Sequence, residues 1–168
     1  MRGVNPFDEN LVRDVMALGG ALLVGLLVGV ERGWQDRDIP DGGRVAGLRT
    51  FALIGLLGGV LGLGGGTSVL PLAVGLLAIA LFFAVSYRHV VAATGTFSIT
   101  TAVAALATYA LGALAAGGHT ALAISAAVIV AMLLNLKPVL HRWLRTIRPA
   151  EVNAALQLGV LSAVILPL

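Results

Sequence analysis

Charged and polar side chains are so scarce in this chain that they can be weighed one by one. The densest group is Glu31-Arg32-Gly33-Trp34, followed after a turn-rich stretch by Ala46-Gly47-Leu48-Arg49-Thr50. An acid with arginines in reach can staple two helices as an ion pair, anchor a helix end at a water boundary beside the tryptophan, or hold an ion or proton. The residue types leave these three roles open, and they leave open whether Arg32 or Arg49 is the partner of Glu31. A second polar group is Thr94-Gly95-Thr96-Phe97-Ser98-Ile99-Thr100-Thr101. Thr96 or Ser98 can cap a helix there. Thr100 and Thr101 then fall inside it, where they can bond back to carbonyls or line a polar cavity with Glu31 and Arg49. Glu31, Arg32, Arg49, Thr50, Thr100 and Thr101 are therefore the candidate ion-binding or polar centre.

The remaining polar residues carry less chemistry. Asp36, Asp38 and Asp41 offer oxygens to a hard cation, but their spacing is not that of an EF-hand loop, and a solvated loop is the reading. His89, His119 and His141 are far apart and make no paired metal spacing. There is no cysteine, no G-x-S-x-G and no phosphate-binding loop, so no catalytic set is present and the chain is read as non-enzymatic. Asn135 is expected as a buried amide that bonds across helices.

The elements that must position these groups follow from composition. Of 168 residues, 58% are hydrophobic and 11% charged, and the mean hydropathy is +0.99. Soluble domains carry about 25% charged residues, so a water-exposed globule and a disordered chain are both excluded. The charges lie at 2–14, 31–49, 88 and 137–151. The longest uncharged stretches are 15–30, 50–87, 89–136 and 152–168. A span takes about 20 apolar residues, so the second and third stretches hold two helices each. They break at Gly64-Gly65-Gly66-Thr67-Ser68 and at Gly117-Gly118-His119. The expected fold is an all-α polytopic bundle of about six helices, near 10–31, 47–64, 69–87, 97–116, 119–137 and 152–168. Helices are preferred over a barrel because period-2 alternation is absent.

Nine of the eleven basic residues fall in the connections after helices 1, 3 and 5, and none in those after helices 2 and 4. The positive-inside bias then places the odd connections in the cytoplasm and the N-terminus outside. The net charge of +3 reports this orientation and not a nucleic-acid partner. Gly25 with Gly29, and Gly55 with Gly59, have the spacing that lets helix backbones approach closely. They serve packing within one chain or the seam of a homodimer. From Pro138 to Arg148, basic residues alternate with Val139, Leu140, Trp143, Leu144 and Ile147, a basic amphipathic helix suited to an anionic membrane face.

Gly29-Val30-Glu31-Arg32 and Ala46-Gly47-Leu48-Arg49-Thr50 resemble the paired signature of the MgtC/SapB family of bacterial inner-membrane proteins, G-x-E-R ending one span and A-G-L-R-T opening the next. Thr100-Thr101-Ala102 and Leu111-Gly112 fit the same pattern. Glu151, Ala155-Leu156-Gln157 and Ile165-Leu166-Pro167 resemble a longer branch, in which a second membrane domain of unknown function follows. The connection from Tyr87 to Thr101 is shorter than in virulence-associated members and lacks their Asp-containing segment. On this resemblance, residues 1–150 form the MgtC/SapB-like domain, with five spans and an interfacial helix at 138–149. Residues 151–168 form a sixth span, expected to be truncated. The resemblance implies roles in magnesium and ion homeostasis and in membrane energetics. The expected function is a small ion-linked transporter or channel-like module in the inner membrane. The alternative is a non-transporting regulator that binds another membrane complex. The expected partners are the lipid bilayer, a second copy and a membrane protein. The one ligand considered is a divalent cation such as magnesium.

Overall fold

The computed structural model describes residues 6–35, 37–38, 46–66, 68–94 and 99–162. All regular structure among them is helical. In chain order it comprises α1 (Pro6–Gln35), α2 (Leu48–Gly64), α3 (Leu70–Thr94), α4 (Ile99–Leu114), a π-helical turn (Ala115–His119), α5 (Thr120–Asn135), α6 (Lys137–Thr146) and α7 (Pro149–Val160). Two compact units divide the chain, Met1–Leu134 and Asn135–Leu168.

Among the described residues, three segments are long and apolar enough to cross a bilayer: Glu9–Gln35, Leu70–Arg88 and Ile99–Asn135. The all-α, many-helix fold is as expected, and the helices differ in length from the spans read from the sequence. Leu48–Gly64 is apolar but has 17 residues, about 26 Å at 1.5 Å per residue, just under the thickness of a hydrocarbon core. Ile99–Asn135 runs for 37 residues, the length of two ordinary spans. Its helical geometry is interrupted at Gly118, where φ is +88°. An L-residue pays roughly 1–2 kcal/mol in that region, so a glycine is what lets the chain break there. The last helix also differs from expectation. α7 starts at Pro149, three residues earlier, because proline suits a first turn and the Arg148 amide donates to the Glu151 carboxylate at 3.1 Å. Residues 163–168 of the expected sixth span lie outside the described residues.

In the first unit the direction of each helix can be read from which backbones touch. A Cβ placed on Gly29 would lie 2.9 Å from the Leu48 carbonyl oxygen, and one on Gly55 would lie 2.6 Å from that of Ala21. Later residues of α1 thus meet earlier residues of α2, and the two are antiparallel. Gly58 approaches Tyr109 and Gly62 approaches Ala113, so later residues of α2 meet later residues of α4 and the two are parallel. The Tyr109 hydroxyl donates to the Leu72 carbonyl at 2.9 Å, while Ala80, Phe83 and Tyr87 line a common cavity with Ala102, Leu106 and Ile99. α3 and α4 are therefore antiparallel. The ends of α1 and α3 and the starts of α2 and α4 consequently share one end of the bundle.

The core owes more to small residues than to large ones. Ala21, Ala105, Ala115, Ala123 and Ala127 are fully buried, beside Val24, Val28, Phe51 and Thr108. Hydrocarbon is as apolar as leucine, so helices in it gain by close packing rather than by hiding leucines. Many large apolar side chains accordingly face outward: Leu53, Leu77, Leu81, Phe82, Ile129 and Met132 are all exposed. An apolar surface of that extent is unsuited to water and suited to lipid.

Candidate functional site

Glu31 and Arg32 sit in the last turns of α1. Arg32 Nε donates to one carboxylate oxygen of Glu31 at 2.6 Å, and Nη2 donates to the other at 2.8 Å. Successive helix residues do not ordinarily face each other; here the arginine's long stem lets its fork close on the neighbouring acid. The side chains are 6% and 10% exposed. Bidentate pairing is the strong, directional form of this contact, and burial removes the competing water. Close beside the pair, the start of α2 packs on the end of α1, with Leu48 against Gly29 and Gly33. Gly25, Gly29, Gly55 and Gly59 all face the α1–α2 contact, where added Cβ atoms would meet the partner helix. Their lack of side chains brings Leu48 down onto the end of α1. These glycines are committed inside the chain, so a homodimer seam made by the same faces would need α1 and α2 to separate.

The other candidates lie at the same end but are differently placed. Phe51 is fully buried and faces inward. Arg49 stands two residues earlier, about 200° round the helix, and is exposed, while Thr50 between them is half-buried. The choice between Arg32 and Arg49 as partner of Glu31 thus resolves to Arg32. On α4, Thr101, Ala104, Ala105, Thr108 and Gly112 form one buried stripe, and Thr100 lies half-buried at its edge. The proposed caps Thr96 and Ser98 lie outside the described residues. Among the described residues of this group, the direct ion pair is Glu31–Arg32.

A divalent cation does not fit this arrangement as a ligated ion. Both Glu31 oxygens are taken by Arg32, and the described residues contain no group of three or more His, Asp or Glu placed to hold a metal. Asp36 and Asp41 lie outside the described residues. Asp38 is exposed, 3.8 Å from Arg37, whose guanidinium lies 4.5 Å over the Trp34 ring. Asn135, expected to be buried, is exposed at the last residue of α5.

Two residues that shape the interior escaped the sequence reading. Thr108 is fully buried and donates to the Ala104 carbonyl at 2.7 Å within its own helix. Tyr109 is 2% exposed and ties α4 to α3, its ring occupying the space left by the missing side chain of Gly75. The available signal was the seven-residue interval from Thr101 to Thr108, which returns a position to the same helix face. At the opposite end, an open cavity of about 820 Å³ is lined by Glu9, Arg13, Asp14, Met16 and the π turn.

The sequence model of the MgtC family matches residues 18–143. The chain belongs to the MgtC family. The match runs from within α1 to within α6 and takes in all six candidate polar residues. Searches of curated proteins and of solved structures return no match to this chain. Membership of the MgtC family, together with the apolar helices, suggests a membrane protein linked to magnesium and ion homeostasis.

Proposed function

We propose that this MgtC family member is a multi-pass inner-membrane module that couples to ion movement, as a small transporter or channel-like protein. Its Glu31–Arg32 pair acts as a charge lock. The observation that carries the reading is a bidentate pair, nine-tenths buried, at the end of a helix whose next two turns inward are apolar. Ionisable groups within membrane segments are costly, and their usual justification is a role in ion or proton handling. In the state described the lock is closed, because each charge neutralises the other. Opening it would free a carboxylate and a guanidinium beside Thr50, Thr100 and Thr101, which lie at the same end. The lock is a gate on passage and not a metal-ligand set, in keeping with the poor fit to a bound divalent ion.

The test is flux through the full chain in proteoliposomes loaded with a magnesium-sensitive dye, with potassium and proton dyes in parallel. Wild-type protein should conduct or exchange at least one of these ions. Glu31→Gln should change that flux at least tenfold, while the exposed Arg49→Gln changes it less. Wild-type flux no greater than that of empty vesicles for all three ions would overturn the reading. The regulatory alternative would then hold, and the exposed outer faces of α3 and α5 would be its contact surfaces, since the glycine faces are already occupied.

A further inference from the structure

The basic helix α6 plays no part in the ion-handling reading, yet its residues are sorted sharply by face. At 100° per residue, Val139, Leu140, Trp143 and Leu144 fall within one arc of about 140°. Arg142 and Arg145 occupy the opposite side, with Lys137 and Thr146 at its edges. Trp143 and Leu144 are 61% and 59% exposed, Val139 and Leu140 are exposed as well, and so are both arginines. The unit that contains α6 covers little of this apolar stripe.

We infer that α6 lies in the headgroup layer of the bilayer and binds anionic phospholipid, with its Trp143–Leu144 face in the acyl boundary and Arg142 and Arg145 on lipid phosphates. Three observations select a lipid surface over a protein. First, chain continuity sets the depth: Lys137 follows by two residues the end of Ile99–Asn135, a segment long enough to cross a bilayer, so α6 begins at a membrane boundary. Second, the unit's charge is one-sided. Lys137, Arg142, Arg145 and Arg148 stand against one acid in its sequence, Glu151. Third, the layout matches that of helices lying along an interface: a broad apolar arc with an aromatic ring, opposed by a cationic arc. An anionic leaflet attracts each such charge by about 1 kcal/mol, or about fivefold in affinity.

The experiment uses the full chain carrying Trp34→Phe, which leaves Trp143 as the single tryptophan, in nanodiscs of phosphatidylcholine with increasing phosphatidylglycerol. Trp143 should be quenched more by lipids brominated near the headgroup than by lipids brominated deep in the chain, and little by aqueous iodide. Energy transfer from Trp143 to dansyl-labelled lipid should favour phosphatidylglycerol over phosphatidylcholine. Arg142→Gln/Arg145→Gln should cut that preference by about 25-fold, while Arg142→Lys/Arg145→Lys keeps it. Circular dichroism of each variant should match wild type, since both arginines are exposed. Iodide quenching without bromolipid quenching would overturn the proposal, because α6 would then stand in water. Bromolipid quenching with no loss of lipid preference in the Gln variant would equally overturn the anionic recognition.

Discussion

Replacing Glu31 with glutamine leaves the Arg32 guanidinium with its positive charge, 6% of its surface exposed, and without the carboxylate that neutralised it. Removing one member of a buried pair costs about 3–5 kcal/mol, because the surviving charge keeps its desolvation penalty and loses its partner. Arg32→Gln should cost a similar amount for the mirror reason. The double variant, with two amides that can still bond each other, should cost less than the two single effects added together, by about 2–3 kcal/mol of coupling. The chain supplies its own control. Arg13 and Asp14 are also adjacent and oppositely charged, but their closest approach is 3.5 Å and their side chains are 74% and 43% exposed. Asp14→Asn should therefore cost less than Glu31→Gln, because the contact is longer and both side chains are far less buried, although the Asp14 oxygen facing Arg13 is itself covered and makes no hydrogen bond. The assay is reversible unfolding of the full chain in one detergent at one ionic strength, for wild type, both single variants, the double variant and the control. Raising the salt should shift the Asp14 effect and leave the Glu31 effect nearly unchanged, because buried pairs are screened little. Single costs below about 1 kcal/mol at Glu31 and Arg32, or zero coupling between them, would refute the claim that burial makes this pair strong.

Two further expectations follow from the packing. Gly29→Ala puts a Cβ 2.9 Å from the Leu48 carbonyl oxygen, so α2 must move back at a cost of about 1–3 kcal/mol. Gly19→Ala, in the same helix with nothing within 4 Å of the new atom, should instead gain about 0.5–1 kcal/mol, and the same unfolding assay reads the opposite signs. Tyr109→Phe removes the α4–α3 hydrogen bond and should cost about 0.5–1.5 kcal/mol, read as a lower midpoint with helicity retained by circular dichroism.

Much of the fold is legible in the sequence because lipid leaves the backbone few options. A chain with nineteen charges gathered into a few short stretches must satisfy its peptide groups internally, and helices do so. The same scarcity singled out Glu31, and the spacing of Gly25 and Gly29 announced a close helix contact. Less was legible in the site. Whether Glu31 meets Arg32 or Arg49 depends on the side of α2 that faces α1. That side follows from the seat of Phe51, which no local pattern specifies. Asn135 was misplaced because an amide in an apolar run looks buried, whereas here it ends its helix. Tyr109 was missed because its partner is the Leu72 carbonyl, 37 residues away.

The sequence by itself determined the helical class, the break near Gly118 and the sorted faces of α6, since each depends on residue type or spacing. Only the tertiary structure decided that the α1 and α2 glycines pack against each other within one chain. It also decided that Thr101 lies inside the bundle while Arg49 stays outside, and that the Glu31–Arg32 pair is sealed. The physical reason is that burial belongs to neighbours: a carboxylate at a helix end is an exposed anchor or a buried lock according to how closely another backbone approaches it.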